Sequence, residues 1–281
     1  MIEVVFLAAL ALIWIIFAVI QDLRSHEVSN WLNFSLIVFA LGFRFFYSLF
    51  SGSGFSFFYQ GLIGLAIFFA VGNLLYYGKL FAGGDAKLMI ALGAVLPLTT
   101  SFTSNVKIFI FFLLLFFFAG AIYTIITSAA LGIKNSKELE KEFKKQFAKN
   151  KSRLSLTISF AVILAVAGFF IDPLLIYLAI MIFILPYIYI YAKSVDEACM
   201  IKSVSTQNLV EGDWLYKSVK VGRKTIKADW DGLTHEDISV LKKSHKKVRI
   251  REGVPFTPVF LISFVLMLLL YNWALAWSLF L

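Results

Sequence analysis

The chain has 281 residues, 60% of them hydrophobic and 15% charged, and a mean hydropathy of +0.85. So little charge at this length excludes a soluble globular domain and points to a polytopic membrane protein. The net charge of +9 would suit a nucleic-acid binder, but 21 of the 26 Lys and Arg lie in two polar segments, 132–153 and 193–255.

Basic loops beside membrane spans follow the positive-inside bias, so nucleic acid is not an expected partner. The basic tracts are expected to meet anionic lipid head groups instead. A single cysteine, Cys199, excludes an internal disulfide and a Cys-x-x-Cys metal site.

Ile2–Ile20 spans about 28 Å as a helix, enough to cross the hydrocarbon core. Glu3 precedes it, with no basic flank and no small-residue cleavage site, so it reads as a retained span. The polar connection 21–30 leads into a second span, Trp31–Phe50, which contains Arg44. An uncharged loop, Ser51–Tyr59, precedes Gly61–Tyr77, where Gly61, Gly64 and Gly72 would let helices approach closely. Lys87–Leu98 reads as a short fourth span extending toward Thr103, and Val106–Leu131 as a long fifth. Ile133–Arg153 is charged and helix-prone. Leu154–Ile171 and Pro173–Tyr191 are two more spans, split by the turn signal Asp172-Pro173. Residues 193–255 are polar, with Thr234-x-x-Asp237 signalling the start of a helix. The last span is Phe256–Leu281.

The expected fold is therefore an all-α polytopic membrane protein of about eight transmembrane helices. A five-helix core, 1–131, is followed by a basic cytoplasmic loop, 132–153, and two helices within 154–192. A small cytoplasmic domain, 193–255, precedes the last helix, 256–281. With the N-terminus outside, the connections 21–30, 78–87, 132–153 and 193–255 fall inside, with Arg24, Lys79, Lys87 and both basic tracts. Arg44 and Lys107 are the exceptions on the outer side.

This topology brings two carboxylates to one plane of a cytoplasmic membrane. Asp22 ends the first span, and Asp85, after Gly83-Gly84, begins the fourth. An ionisable group among apolar spans needs a partner, a wet cavity or a chemical role. Two adjacent carboxyls share a proton, so that one activates a water while the other polarises a carbonyl. The glycines would let a substrate backbone approach and let the chain leave helical geometry beside Asp85. The plainer alternative has Asp85 cap a helix starting at Ala86 and Asp22 pair with Arg24. Lys87 either steadies the dyad or snorkels to head groups. Arg24 either lowers the Asp22 pKa or anchors the inner face. His26 and His235 lack neighbours at ligand spacing, so no metal is expected. Glu211, Asp213, Asp229 and Asp231 either receive a basic peptide or form a solvated surface. The Phe runs around 109–112 and 116–118 face lipid or other helices.

Asp22-Leu23-Arg24 followed by Val28-Ser29-Asn30 resembles the first aspartate motif of the type IV prepilin and preflagellin peptidases. Gly83-Gly84-Asp85-Ala86-Lys87-Leu88 resembles their second, Gly-x-Gly-Asp, with Ala82 where the pattern has its first glycine. Leu209–Trp214, Gly232-Leu233-Thr234 and Arg251–Phe260 resemble the C-terminal region of archaeal members. The resemblance implies an intramembrane aspartyl endopeptidase with Asp22 and Asp85 as the catalytic pair and Gly83, Gly84, Lys87 and Arg24 as support. Its substrates would be pilin-like or archaellin precursors, cut after a short basic leader at the cytoplasmic face. No cofactor is implied, and without a cysteine-rich insert no N-methyltransferase activity is expected. Two rivals remain: an ion- or proton-coupled transporter using the same carboxylates, and a non-catalytic pilus-assembly protein. The absence of an internal repeat and the placement of both carboxylates at one face speak against the transporter.

Overall fold

A computed structural model describes residues 2–278 apart from 53, 223, 231 and 245, and the side chains of 271–278 also lie outside the description. The chain forms two compact units, 1–124 with 254–281, and 125–253.

The first unit contains α1 (Ile2–Ser25), α2 (Asn30–Phe50), α3 (Ser56–Tyr77), α4 (Gly83–Gly93), much of α5 (Phe102–Lys134), and α10 (Thr257–Ser278). Six helices among the described residues are long and apolar enough to cross a membrane: α1, α2, α3, α5, α7 (Lys151–Phe170) and α8 (Leu174–Cys199). Outward-facing large apolar residues such as Phe39, Phe118 and Leu185 fit a lipid surround. The expected all-helical membrane architecture is thus present.

The expected fourth span is different. Helix α4 has 11 residues, about 16 Å of helix, which cannot cross a hydrocarbon core of about 30 Å. It begins earlier than the sequence suggests, at Gly83, and gives way to an irregular segment whose residues 94–98 are buried. Non-helical backbone in apolar surroundings needs internal hydrogen-bond partners.

Arg44 supplies them. Its side chain is fully buried, and its guanidinium donates to the carbonyls of Ala94 (2.9 Å), Val95 (3.1 Å), Phe57 (3.0 Å) and Pro97. The Phe57 ring lies 4.3 Å beneath it. Arg44 is the internal terminator of α4, placed where the helix dipole favours a cation.

Close backbone approach completes the arrangement. A Cβ on Gly64 would strike the Gly93 carbonyl oxygen, and one on Gly72 would lie 2.9 Å from the Ala86 carbonyl oxygen. Gly61 leaves room for the Arg44 side chain itself. These three glycines let α3 lie directly against α4 and Arg44, as their spacing suggests.

In the second unit, α6 (Ser136–Lys149) makes most of 132–153 helical, in keeping with its helix-prone composition, with Lys144 bonded to Glu140 and Lys145 to Glu142. Asp172 Oδ1 accepts from the Leu174 amide at 2.8 Å, making the turn into α8. Helix α8 continues to Cys199, past the expected end at Tyr191 and through Pro186.

Five short strands follow: β1 (Ile201–Ser205), β2 (Trp214–Leu215), β3 (Val219–Val221), β4 (Lys224–Ile226) and β5 (Lys247–Arg251). They form an antiparallel sheet β1-β5-β2 and a separate β3-β4 hairpin. Helix α9 (His235–Ser244) starts at the expected cap. The Thr234 hydroxyl accepts from the Asp237 amide at 3.2 Å, and Asp237 Oδ2 in turn takes the Thr234 hydroxyl at 2.8 Å. Two stretches quoted for the C-terminal resemblance pair with each other, Gly212 N to Leu233 O and Leu233 N to Asp213 O. Gly232 lies at φ +77 with its Cα against the Gly212 carbonyl, where no side chain would fit. Of the acidic cluster, Asp213 accepts from the Val210 amide and Asp229 from the Trp230 amide, so both shape turns. Asp231 lies outside the described residues.

Arg44→Met should destabilise the first unit by about 3 kcal/mol or more, because several buried carbonyls lose their donors at roughly 1–3 kcal/mol each. Arg44→Lys should recover little of this, since an ammonium cannot span the same fork of acceptors. Reversible unfolding in mixed micelles measures both; equal stability of Arg44→Met and wild type would refute the role.

Candidate active site

Helix α1 continues past the expected polar boundary to Ser25, so Asp22 sits within its last turns rather than in a loop. Asp22 is buried, at 7% exposure. A carboxylate there needs donors, and they come from the far end of the chain. Oδ2 accepts the Thr257 amide at 3.1 Å and the Thr257 hydroxyl at 2.9 Å. Thr257 is fully buried at the first position of α10, where a helix has amides without partners of its own.

The chain leaves α1 abruptly. His26 adopts φ 55 and its amide closes on the Asp22 carbonyl at 2.9 Å, which ends the helix. Gln21 then fixes the short connection, its Oε1 accepting the Ser29 amide at 3.0 Å and hydroxyl at 2.6 Å. Val28 is consequently buried, at 4% exposure.

Asp85 is half-buried in the first turn of α4. The cap of that helix is Ala82, at φ −70 and ψ 161, so Asp85 does not cap a helix starting at Ala86. This is ordinary extended backbone that alanine adopts freely, so the glycine of the pattern is not needed there. The Ala82 backbone hydrogen-bonds the Asp85 carboxyl, and Asp22 lies close enough to act on it electrostatically.

Gly83 and Gly84 are helical and at negative φ. They do not release the chain from helical geometry as expected, and both positions have room for a Cβ. A Cβ on Gly84 would sit 3.4 Å from Val28 Cβ, and one on Gly83 would sit 3.9 Å from the Tyr76 ring. Lys87 Nζ donates to Asn30 Oδ1 at 2.6 Å. The two motifs thus interlock, Gly84 against Val28 and Lys87 against Asn30. Arg24 is exposed on the last turn of α1, two positions after Asp22, and residues so spaced do not share a helix face.

An aromatic cluster ties this end of the unit together. Phe256 lies 6.1 Å from Phe81 and 5.9 Å from Phe116, and Phe260 lies 4.7 Å from Phe116. The Tyr123 hydroxyl donates to the Pro255 carbonyl at 2.8 Å. Phe81, which leads into the second motif, and Phe256, which leads into α10, are therefore packed against each other. Phe112 and Phe116 are buried members of the Phe runs, while Phe117 and Phe118 face outward. Thr257 is the site residue that sequence reasoning missed. It lay inside the C-terminal stretch that carried a resemblance, but nothing in local spacing linked it to a residue 235 positions away.

Residues 9–125 match the model of the type IV leader peptidase family. The match takes in both aspartates and bears out the family read from the two motifs. Neither the curated proteins nor the solved structures yield a match.

Gly84→Ala should leave stability nearly unchanged, because a methyl there meets Val28 at ordinary contact distance. Gly84→Leu should cost about 1–3 kcal/mol by overpacking Val28. Unfolding in mixed micelles distinguishes them; a neutral Gly84→Leu would show that the two motifs do not interlock as described.

Proposed function

We propose that this chain, whose segment 9–125 matches the type IV leader peptidases, is a membrane aspartyl endopeptidase with Asp22 and Asp85 as its dyad. The observation that carries the reading is that both aspartates lie in the matched segment, Asp22 held by Thr257 and Asp85 within its electrostatic reach.

In this reading the two carboxyls act as a pair with one shared proton, as two neighbouring carboxyls do. The ionised member takes a proton from a water as that water attacks the scissile carbonyl carbon. The protonated member donates a hydrogen bond to the carbonyl oxygen and stabilises the negative charge that develops there. Collapse of the tetrahedral intermediate breaks the C–N bond, and the proton gained from water passes to the leaving amine. The products are a carboxylic acid and an amine, which exchange a proton to leave as carboxylate and ammonium, and the dyad returns to its starting state. Every step uses the carboxyls and water.

Substrates in this reading are precursors of pilin-like proteins or archaellins, with a short basic leader ahead of an apolar helix. The positive-inside bias sets the N-terminus outside and both aspartates at the cytoplasmic face. A dyad at that interface reaches a peptide bond just before a membrane-embedded helix. The basic tracts lie on the same side, against anionic head groups. Lys87, bonded to Asn30, aligns α4 with the start of α2, and Arg24 anchors the inner face.

The test is cleavage of a precursor with a basic leader and an apolar helix by the detergent-solubilised protein, followed as a shortened product. Asp22→Asn and Asp85→Asn should each lower the rate by about 10²–10⁴-fold, with unfolding midpoints close to wild type. Normal cleavage by either variant would refute the dyad. Proton-coupled flux in liposomes, without cleavage, would favour a transporter.

A further inference from the structure

We infer that Thr257 is a positioning residue for hydrolysis, holding Oδ2 of Asp22 through both its amide and its hydroxyl so that Oδ1 is presented to the attacking water. The inference rests on the reading of Asp22 and Asp85 as a dyad and extends it to the last helix.

The geometry has three parts. First, both Thr257 bonds fall on one oxygen, at 3.1 Å from the amide and 2.9 Å from the hydroxyl. Among the described residues, Oδ1 receives no bond from the protein. A carboxylate pinned at one oxygen cannot rotate freely, so the lone pairs of the other have a fixed direction. Bonds to an ionised group are the stronger kind, and here they lie among buried residues.

Second, Thr257 is itself fixed. It is fully buried, and Pro258 follows it inside the first turn of α10, where the ring pre-sets helical geometry. Just ahead, the Pro255 carbonyl is held by Tyr123, and Phe256 sits in the aromatic cluster with Phe81 and Phe116.

Third, the same cluster packs the segment that leads to the other carboxylate. Phe81 is four residues before Asp85 and packs against both Phe256 and Phe260. The N-terminus of α10 therefore fixes Asp22 by hydrogen bonds and the approach to Asp85 by packing. It acts as a common frame for the two.

A purely structural alternative is that Asp22 merely caps α10 from a distance. The two accounts differ in what is lost when the hydroxyl goes. Thr257→Val keeps the shape and the amide but removes one donor. If Thr257 positions the carboxylate, kcat for precursor cleavage should fall about 10–100-fold, since a small misplacement of a catalytic group is costly. KM should stay within about twofold, and Thr257→Ser should restore most of kcat. A Thr257→Val enzyme with wild-type kcat overturns the inference. So does a loss that Thr257→Ser fails to rescue while the unfolding midpoint falls with it.

A second readout does not depend on cleavage. With threonine labelled by ¹⁵N, the Thr257 amide proton should resonate downfield, as expected for a bond to a carboxylate, and move upfield in Asp22→Ala. An unchanged resonance removes the bond and the inference with it. If wild type cleaves no precursor while this signature is present, the protease reading fails and the anchoring of Asp22 by Thr257 stands.

Discussion

A charge enclosed by apolar helices has to be met by oriented dipoles, and two buried charges of this chain are met by main-chain groups near helix ends. Arg44 answers carbonyls in the segment just after α4. Asp22 answers the first amide of α10. Both ends carry partial charge of the complementary sign. Removing Arg44 would leave several buried carbonyls without donors, and removing the Thr257 donors would leave the Asp22 carboxyl without its protein partners. This constraint fixes the length of α4, the entry of α10 and the place where the two aspartates meet.

Helix α4 illustrates how stability and the proposed chemistry share one element. Its far end is held by Arg44, its flank by α3 through Gly64 and Gly72, and its near end by Val28 and Asn30. Asp85 stands on that near end. A short helix clamped at both ends gives a carboxyl group a defined position without the length of a full span. Asp22 is fixed differently, by a tertiary hydrogen bond rather than by local packing. Under the protease reading, one carboxyl is thus anchored by donors and the other by the helix that carries it. This asymmetry suits two groups that must differ in protonation.

Much of this was legible in the sequence because it is local. Long apolar runs gave the spans, Asp172-Pro173 a turn, and Thr234-x-x-Asp237 the start of α9. The two motifs singled out Asp22 and Asp85, both within the segment that matches the family. What failed was what depends on distant partners. The carbonyl acceptors of Arg44 could not be read from the sequence, because two of them lie about fifty positions away. Lys87–Leu98 looked like a span because apolar composition does not reveal a helix that stops midway and is capped from elsewhere. Gly83 and Gly84 suggested a break in the helix, whereas both lie within its first turn. Thr257 carried no local signal at all.

The most direct measurement of the central claim uses a precursor peptide whose scissile amide is replaced by a tetrahedral, hydroxyl-bearing isostere. Calorimetry in detergent would compare its binding with that of the parent peptide. The account predicts that wild type binds the isostere at least about a hundredfold more tightly than the parent, and that Asp22→Asn or Asp85→Asn abolishes the difference. Binding of the isostere that is no tighter than the parent, or that persists unchanged in either variant, would contradict a dyad formed by Asp22 and Asp85.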